Sequence, residues 1–337
     1  MSSPAIPLDS TVLVTGINGY LGSHTADQLL EAGYKVRGTT RDLKKTEGLV
    51  ALWEKKYGKG RVEIVIVEDM TTEGAFDEAV KGVSGVAHVA SILTFSPDPN
   101  LVIPGVLASI RSILKSTAAS PSVKRFVYTS SSIAATAAQP NTRKTVALDS
   151  WNEADIEKAW APPPYTQDRA ISVYGASKAQ GEKAVWEFVK ENKPQFVVNA
   201  VLPNCNFGKI LDRNISASSG DFPPKLLQGK IEGLEVFNPQ WFVDVQDTGR
   251  LHVAALVDAS IQNERLFAFG EPFNWPQVLS ILRKIRPDYK IPADFSDPNE
   301  RDLMEIPNQR AADILRGMGR PGFTSLEESI TANVEGL

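Results

Sequence analysis

Tyr174 and Lys178 stand four residues apart in "ISVYGASKAQGEKAV" (171–185). On a helix that spacing puts both side chains on one face, one turn apart. A phenol beside an ammonium group can deliver a proton. Free tyrosine has a pKa near 10, and a lysine cation about 4 Å away at an effective dielectric near 20 is worth ~4 kcal/mol, roughly 3 pKa units. Such a phenol is expected to work as the acid that protonates a carbonyl oxygen when hydride reaches its carbon. The stretch "YTSSSIAA" (128–135) adds a hydroxyl to this chemistry. It ends an expected strand at the carboxyl edge of a sheet, where ligands of α/β folds bind.

A second group of residues suits a pyrophosphate. "TGINGYLG" places Gly16, Gly19 and Gly22 three apart, directly after the strand "TVLVTG" (11–16) and before a helix expected from about Gly19 to Ala32. Glycine allows the tight turn and lets backbone N–H groups approach an anion at the helix N-terminus. The spacing is GxxGxxG and not GxGxxG. The end of the next strand, "KVRGTT" (35–40), chooses between the two nicotinamide cofactors, because an acidic residue there binds the adenosine ribose and repels a 2′-phosphate. Here Thr40 is followed by Arg41, Lys44 and Lys45. Cations at that point pair a 2′-phosphate, arginine bidentately. Asp42 reads as the cap of the following helix. NADPH is the expected cofactor.

Further strands are expected at "VEIVIVED" (62–69), "GVAHVA" (85–90), "KRFVYTSS" (124–131) and "QFVVNAVLP" (195–203). Helices are expected up to about Tyr57, near 73–81 and over 101–118. Near-continuous apolar strands alternating with helices predict a doubly wound parallel sheet of the Rossmann type, with its strand order unread. Residues 1–203 form the expected dinucleotide-binding domain. Its insertion at 138–168 is rich in Pro, Asn, Asp and Trp, as befits a cover over a site. Residues 204–337 lose the alternation and read mainly as a smaller mixed substrate lobe, with segments such as "RLFAFG" (265–270) returning to the sheet.

The chain has 337 residues, 42% hydrophobic and 23% charged, with a net charge of −4. It carries no Lys/Arg run suited to nucleic acid or an anionic membrane surface. "MSSPAIPLDS" lacks the basic and apolar regions of a signal peptide, and no stretch is expected to approach the ~18 apolar residues of a membrane-spanning helix. A single cysteine, Cys205, excludes an internal disulfide, and His24, His88 and His252 are too dispersed for a metal site. A cytoplasmic protein, monomeric or homodimeric, is expected.

Gly16/Gly19/Gly22, Asp69-Met70 after the third strand, "VAHVA", the serine strand and Tyr174-xxx-Lys178 together resemble the extended short-chain dehydrogenase/reductases. "RFVYTSS", "YGASKAQGEKAVWEF" and "WFVDVQDTGRLHVAAL" are similar to the branch holding fungal NADPH-dependent aldehyde and methylglyoxal reductases and plant dihydroflavonol reductases. The resemblance spans nearly the whole chain, loosely after about 270. It implies that Ser131 orients the substrate carbonyl, that Tyr174 donates the proton, and that Lys178 holds the nicotinamide ribose and lowers the pKa of Tyr174. It implies a cofactor site of Gly16, Asn18, Gly19, Tyr20, Leu21 and Gly22, with Arg41 and Lys45 at the 2′-phosphate and Asp69 and Met70 beside adenine. Ala90 and Ser91 would border the cofactor, Pro203 and Asn206 the nicotinamide, and Ser219 a phosphate.

Two positions depart from the family. Ser112 stands where many relatives have an asparagine of the proton relay. Thr136 stands where plant flavonoid reductases grip their substrate with an asparagine. The expected substrate is therefore a small or medium aldehyde or ketone, with Phe95, Thr136, Trp241 and Phe242 as pocket candidates. His88 reads as a packed histidine and Cys205 as a pocket wall. Two other functions fit the same fold: an NADP-linked secondary-alcohol dehydrogenase of the hydroxysteroid type, and a non-catalytic NADP-sensing regulator. The intact Tyr-xxx-Lys pair argues against the second.

Overall fold

Apolar, largely β-branched runs form the central strands of the main sheet, which are buried on both faces. The computed structural model describes residues 4–337. Its strands are β1 (Thr11–Val14), β2 (Lys35–Thr40), β3 (Val62–Ile66), β4 (Gly85–His88), β5 (Arg125–Thr129), β6 (Arg143–Thr145), β7 (Val197–Pro203), β8 (Cys205–Phe207), β9 (Gln240–Asp244), β10 (Arg265–Ala268), β11 (Glu271–Phe273) and β12 (Leu303–Glu305). Seven of them form one parallel sheet in the order β10-β7-β5-β4-β1-β2-β3. Strand order reverses at β1, which pairs with β2 on one side and β4 on the other. In open α/β sheets the crevice at such a reversal is where ligands bind.

The helices are α1 (Tyr20–Glu31), α2 (Glu47–Tyr57), α3 (Ile103–Ala118), α4 (Ser132–Ala135), α5 (Glu153–Trp160), α6 (Ala170–Asn192), α7 (Phe222–Leu227), α8 (Val245–Val257), α9 (Trp275–Ile285), α10 (Gln309–Gly317) and α11 (Leu326–Asn333). Alternate residues of β1 point to opposite faces, as the pleat requires. Val12 and Val14 join a cluster with Ala26 and Leu29 of α1 and Leu251 and Ala255 of α8. Leu13 joins the opposite cluster with Ile110 and Ile113 of α3 and Val173 and Ala176 of α6.

A smaller sheet, β11-β9-β8, carries a separate apolar cluster that includes Phe207, Phe242, Phe273, Trp275 and Leu279. Its β8–β9 pair is parallel and its β9–β11 pair antiparallel, which is the expected mixed lobe. The sequence "RLFAFG" does return to the main sheet, as β10 against β7. The 138–168 insertion contributes β6, which pairs in parallel with the distant β12.

Three expectations are corrected. Residues 73–81 are a run of turns, not a helix. Gly74 sits at φ +79°, a left-handed conformation that stops a helix from propagating, and the N–H groups of Ala75, Asp77 and Lys81 each bond a carbonyl three residues back. Several strands end earlier than their apolar runs. Thr15, Gly16, Val89, Ala90, Ser130 and Ser131 leave the ladder at its carboxyl edge. Finally, one run, Pro99–Ala118, does reach membrane-spanning length, with a mean hydropathy of 1.3 over its most apolar window. It contains α3, whose apolar face packs on the sheet beside α6.

Candidate active site

Of those strand ends, Gly16, Val89, Ala90, Ser130 and Ser131 line one cleft of about 1070 Å³. Its floor is the glycine loop. Gly16 adopts φ +66°, and its N–H donates to the Thr39 hydroxyl at 3.2 Å. A Cβ on Gly22 would lie 2.2 Å from the Gly16 carbonyl oxygen, so only glycine lets α1 start this close to β1. Gly19 is the N-cap of α1 and provides no side-chain cap, which leaves the first N–H groups of the helix free for an anion. Asn18, Gly19, Leu21 and Gly22 all line the cleft. Tyr20 lines it too, but its hydroxyl donates to the Gly208 carbonyl at 2.7 Å, which ties the loop to the smaller lobe.

Thr15 sets the opposite wall. Its hydroxyl oxygen accepts the N–H groups of Val89 and Ala90, both at 3.0 Å, and lies 3.0 Å from His88 Nδ1. An oxygen already accepting twice gives its proton to the imidazole, so His88 is neutral. Burial pushes its pKa down to about 3. His88 is thus a packed histidine that braces the wall. Ala90 and Ser91 line the cleft next to it.

Arg41 and Lys45 line the cleft beyond the end of β2, both exposed. Among the described residues neither joins an ion pair with a carboxylate. Asp42, the acid adjacent to Arg41, caps the following turn, its carboxylate accepting the Lys44 N–H at 3.0 Å. Asp69 and Met70 lie on the lining, with the Asp69 carboxylate accepting the Thr71 N–H and hydroxyl at 2.9 and 2.7 Å. Those bonds hold its pKa below the usual carboxylate value. A glycine cradle that a Cβ would fill, free helix N–H groups and unpaired cations fit a 2′-phosphorylated dinucleotide.

Ser131, Tyr174 and Lys178 converge on the middle of this cleft. Ser131 is the N-cap of α4. Tyr174 and Lys178 come from the second and third turns of α6, and the Lys178 ammonium donates to the Thr129 carbonyl at 3.4 Å. Burial pushes the Lys178 pKa down to about 8, with the Glu182 carboxylate pulling it back up. The Tyr174 phenol shifts upward and not downward as expected. Burial strips hydration from the phenolate, and the Ser131 hydroxyl opposes this only in part.

Pro203, Asn206 and Ser219 line the cleft where β7 leads into β8. Ser219 bonds the Asn206 backbone in both directions, at 2.8 and 3.1 Å, and the Asn206 side-chain oxygen accepts the Thr248 hydroxyl at 2.7 Å. Cys205 is on the wall, its thiol pushed up to about 12 by burial, which keeps it protonated and inert. Ser112 does not face the site. Its hydroxyl donates to the Thr72 carbonyl at 2.6 Å and steadies the loop after β3.

The four pocket candidates divide. Phe95 lines the cleft with its ring 5.2 Å from that of Tyr174, and Thr136 lines it beside Met304. Phe242 is fully buried in the small lobe, and Trp241 packs edge-on against Phe269. Neither lines the cleft. Both faces of β9 are packed, Phe242 into the small-lobe cluster and Trp241 into a cluster with Phe267 and Phe269, so only Gln240 at the start of the strand reaches the lining. Ile133, Ile171, Phe222, Phe237 and Met304, which no local pattern marks, complete the wall.

The profile of the NAD dependent epimerase/dehydratase family matches residues 12–264. Aldehyde reductase 2 of Sporidiobolus salmonicolor is 42% identical over 334 residues, covering 98% of this chain and 96% of that protein. A ketoreductase of Aspergillus novofumigatus is 38% identical over 333 residues, covering 98% and 97%. Among solved structures, the yeast methylglyoxal/isovaleraldehyde reductase complexed with NADPH superimposes with a TM-score of 0.80 at 26% identity, covering 96% of each chain.

Proposed function

The chain belongs to the NAD dependent epimerase/dehydratase family, and from that premise we propose that it is an NADPH-dependent carbonyl reductase in which Tyr174 delivers the proton. One observation carries the reading: the Ser131, Tyr174 and Lys178 side chains meet in the same cleft as the glycine loop and the unpaired Arg41 and Lys45. Relatives named as an aldehyde reductase and a ketoreductase, and a neighbour holding NADPH, support it.

NADPH, when bound, supplies the hydride that reaches the carbonyl carbon. The Ser131 hydroxyl holds the carbonyl oxygen against the Tyr174 phenol. As the carbonyl π bond breaks toward oxygen, the phenol gives its proton to that oxygen and the product is the alcohol. A phenol whose pKa burial has raised holds its proton at neutral pH. Lys178 supplies the positive charge that takes up the resulting phenolate.

The substrate end of the cleft sets the scope. Charged residues on the lining, apart from Lys178, follow β2 and β3: Arg41, Asp42, Lys45, Glu68 and Asp69. Around Tyr174 the wall is Phe95, Ile133, Ile171, Phe237 and Met304, with Thr136, Asn204 and Gln240 as its polar members. Such a wall accepts neutral aryl and alkyl aldehydes, α-dicarbonyls and β-keto esters, and discriminates weakly, one methylene being worth about 1–3 kcal/mol. The test is kcat/KM with NADPH across a carbonyl panel that includes a dihydroflavonol and a keto acid paired with its ester. Turnover of many neutral carbonyls, with the ester ahead of the acid, is expected. A best rate on the dihydroflavonol, or activity confined to one compound, overturns the broad scope.

A further inference from the structure

The face of α6 that carries Tyr174 and Lys178 continues one turn further to Glu182, which is fully buried. Every bond of its carboxylate is taken. Oε2 accepts the Ser130 hydroxyl at 2.6 Å and Arg265 Nη2 at 3.1 Å, while Oε1 accepts Arg265 Nε at 2.7 Å and Trp186 Nε1 at 3.0 Å. Arg265 comes from β10, and its Nη1 donates to the carbonyls of Leu148 and Ser150 at 2.7 and 2.8 Å. An interior carboxylate is costly unless it is paired and fully hydrogen-bonded, and this one is both. Glu182 does not touch Lys178, which bonds the Thr129 carbonyl instead. Successive turns of α6 therefore hold successive residues at the end of β5: Lys178 holds Thr129, and Glu182 holds Ser130. Ser131 is next.

We propose that Glu182 is a positioning residue of this site: it pins Ser130, and with it the start of the Ser131 loop, to α6, and the field of its carboxylate keeps the Lys178 ammonium charged. The proposal rests on the reductase reading of the cleft. Burial alone would drive the Lys178 proton off, and Glu182 is the carboxylate that opposes this. The other titratable groups packed around Lys178 do not. Tyr174 on α6 and Tyr128 on β5 are phenols that burial keeps protonated, and His88 on β4 is a neutral imidazole. From α3, the apolar Val106 and Ile110 lie against Gly181 of α6, and Asp155 of α5 lies against Gly175. Arg265, behind Glu182, is a cation and acts in the opposite sense. Without the Glu182 charge, Lys178 must lose its proton at lower pH.

The test is a pH titration of the Lys178 ¹³Cε resonance in the ligand-free protein, assigned by its loss in Lys178→Arg, followed by pH profiles of kcat and KM. Glu182→Gln should lower the titration midpoint by roughly half a pH unit or more and move the alkaline fall of kcat by the same amount. Glu182→Asp keeps the charge. It should leave the midpoint in place and lower kcat through the looser hold on Ser130. Ser130→Ala should do the same. If Glu182→Gln fails to fold because Arg265 is left unpaired, Glu182→Gln combined with Arg265→Gln carries the test, with a smaller fall expected because both fields are gone. An unmoved midpoint in the folded Gln variant overturns the proposal. The titration uses no substrate, so a failure of the reductase reading leaves it standing or falling by itself.

Discussion

The two ends of the cleft are built in opposite ways. At the cofactor end, three short stretches each do their work locally: the Gly16–Gly22 loop, the Thr40–Lys45 turn and Asp69–Met70, at the ends of the adjacent strands β1, β2 and β3. At the substrate end, Phe95, Thr136, Ile171, Phe237 and Met304 come from five distant parts of the chain. The first end is charged and hydrogen-bonded, the second apolar with a few neutral polar groups. A polar, charged ligand needs fixed donors at set spacing, which a loop and a helix terminus supply. A neutral ligand needs shape, which packing supplies. Tyr174 and Lys178 sit at the junction.

The junction is where the comparison breaks most visibly. Tyr174→Phe keeps the ring packed against Phe95 and removes only the proton, so the variant should fold, bind NADPH and lose about 10²–10⁴-fold in kcat. Full activity, measured by NADPH consumption, would show that Tyr174 is not the proton donor. The next largest effect belongs to the charged end. Arg41→Ala should erase most of the NADPH-over-NADH preference, about ten- to a hundredfold for a charge-assisted contact of roughly 1.5–3 kcal/mol. Unchanged discrimination in kcat/KM for the two cofactors would show that Arg41 does not face the 2′-phosphate.

The apolar end should respond more mildly and in a different currency. Met304→Ala opens the wall beside Thr136, and the ratio of kcat/KM for a bulky over a small ketone should rise about tenfold, with NADPH affinity unmoved. Smallest of all, Trp241→Phe should leave that ratio within about twofold, because the indole packs on Phe269 and not on the lining. A shift as large as that from Met304→Ala would put Trp241 back in the pocket.

These contrasts match what could be read from residue order. The glycine loop, the Thr40–Lys45 turn and the Tyr-xxx-Lys pair are legible because each chemistry lies within one or two turns of chain, where spacing alone sets geometry. The parallel sheet was legible for a related reason, since strands buried on both faces must be apolar throughout. Residues 73–81 were misread because their apolar spacing resembles a helix, while Gly74 ends any helix before it starts. Trp241 and Phe242 lie outside the pocket because both faces of β9 are covered, one by the small-lobe cluster and the other by Phe267 and Phe269, and only the tertiary packing shows that.

By itself, then, the sequence determined the parallel sheet, the glycine loop and the Tyr-xxx-Lys pair, all of them products of local periodicity. The tertiary structure alone decided the strand order, the apolar wall with Met304 brought in by the β6–β12 pairing, and the upward shift of the Tyr174 phenol. The reason is that burial is a property of the whole packed chain. How far Tyr174 and Lys178 are stripped of water, and that Arg265 of β10 pairs the Glu182 carboxylate, depend on elements far away in the chain.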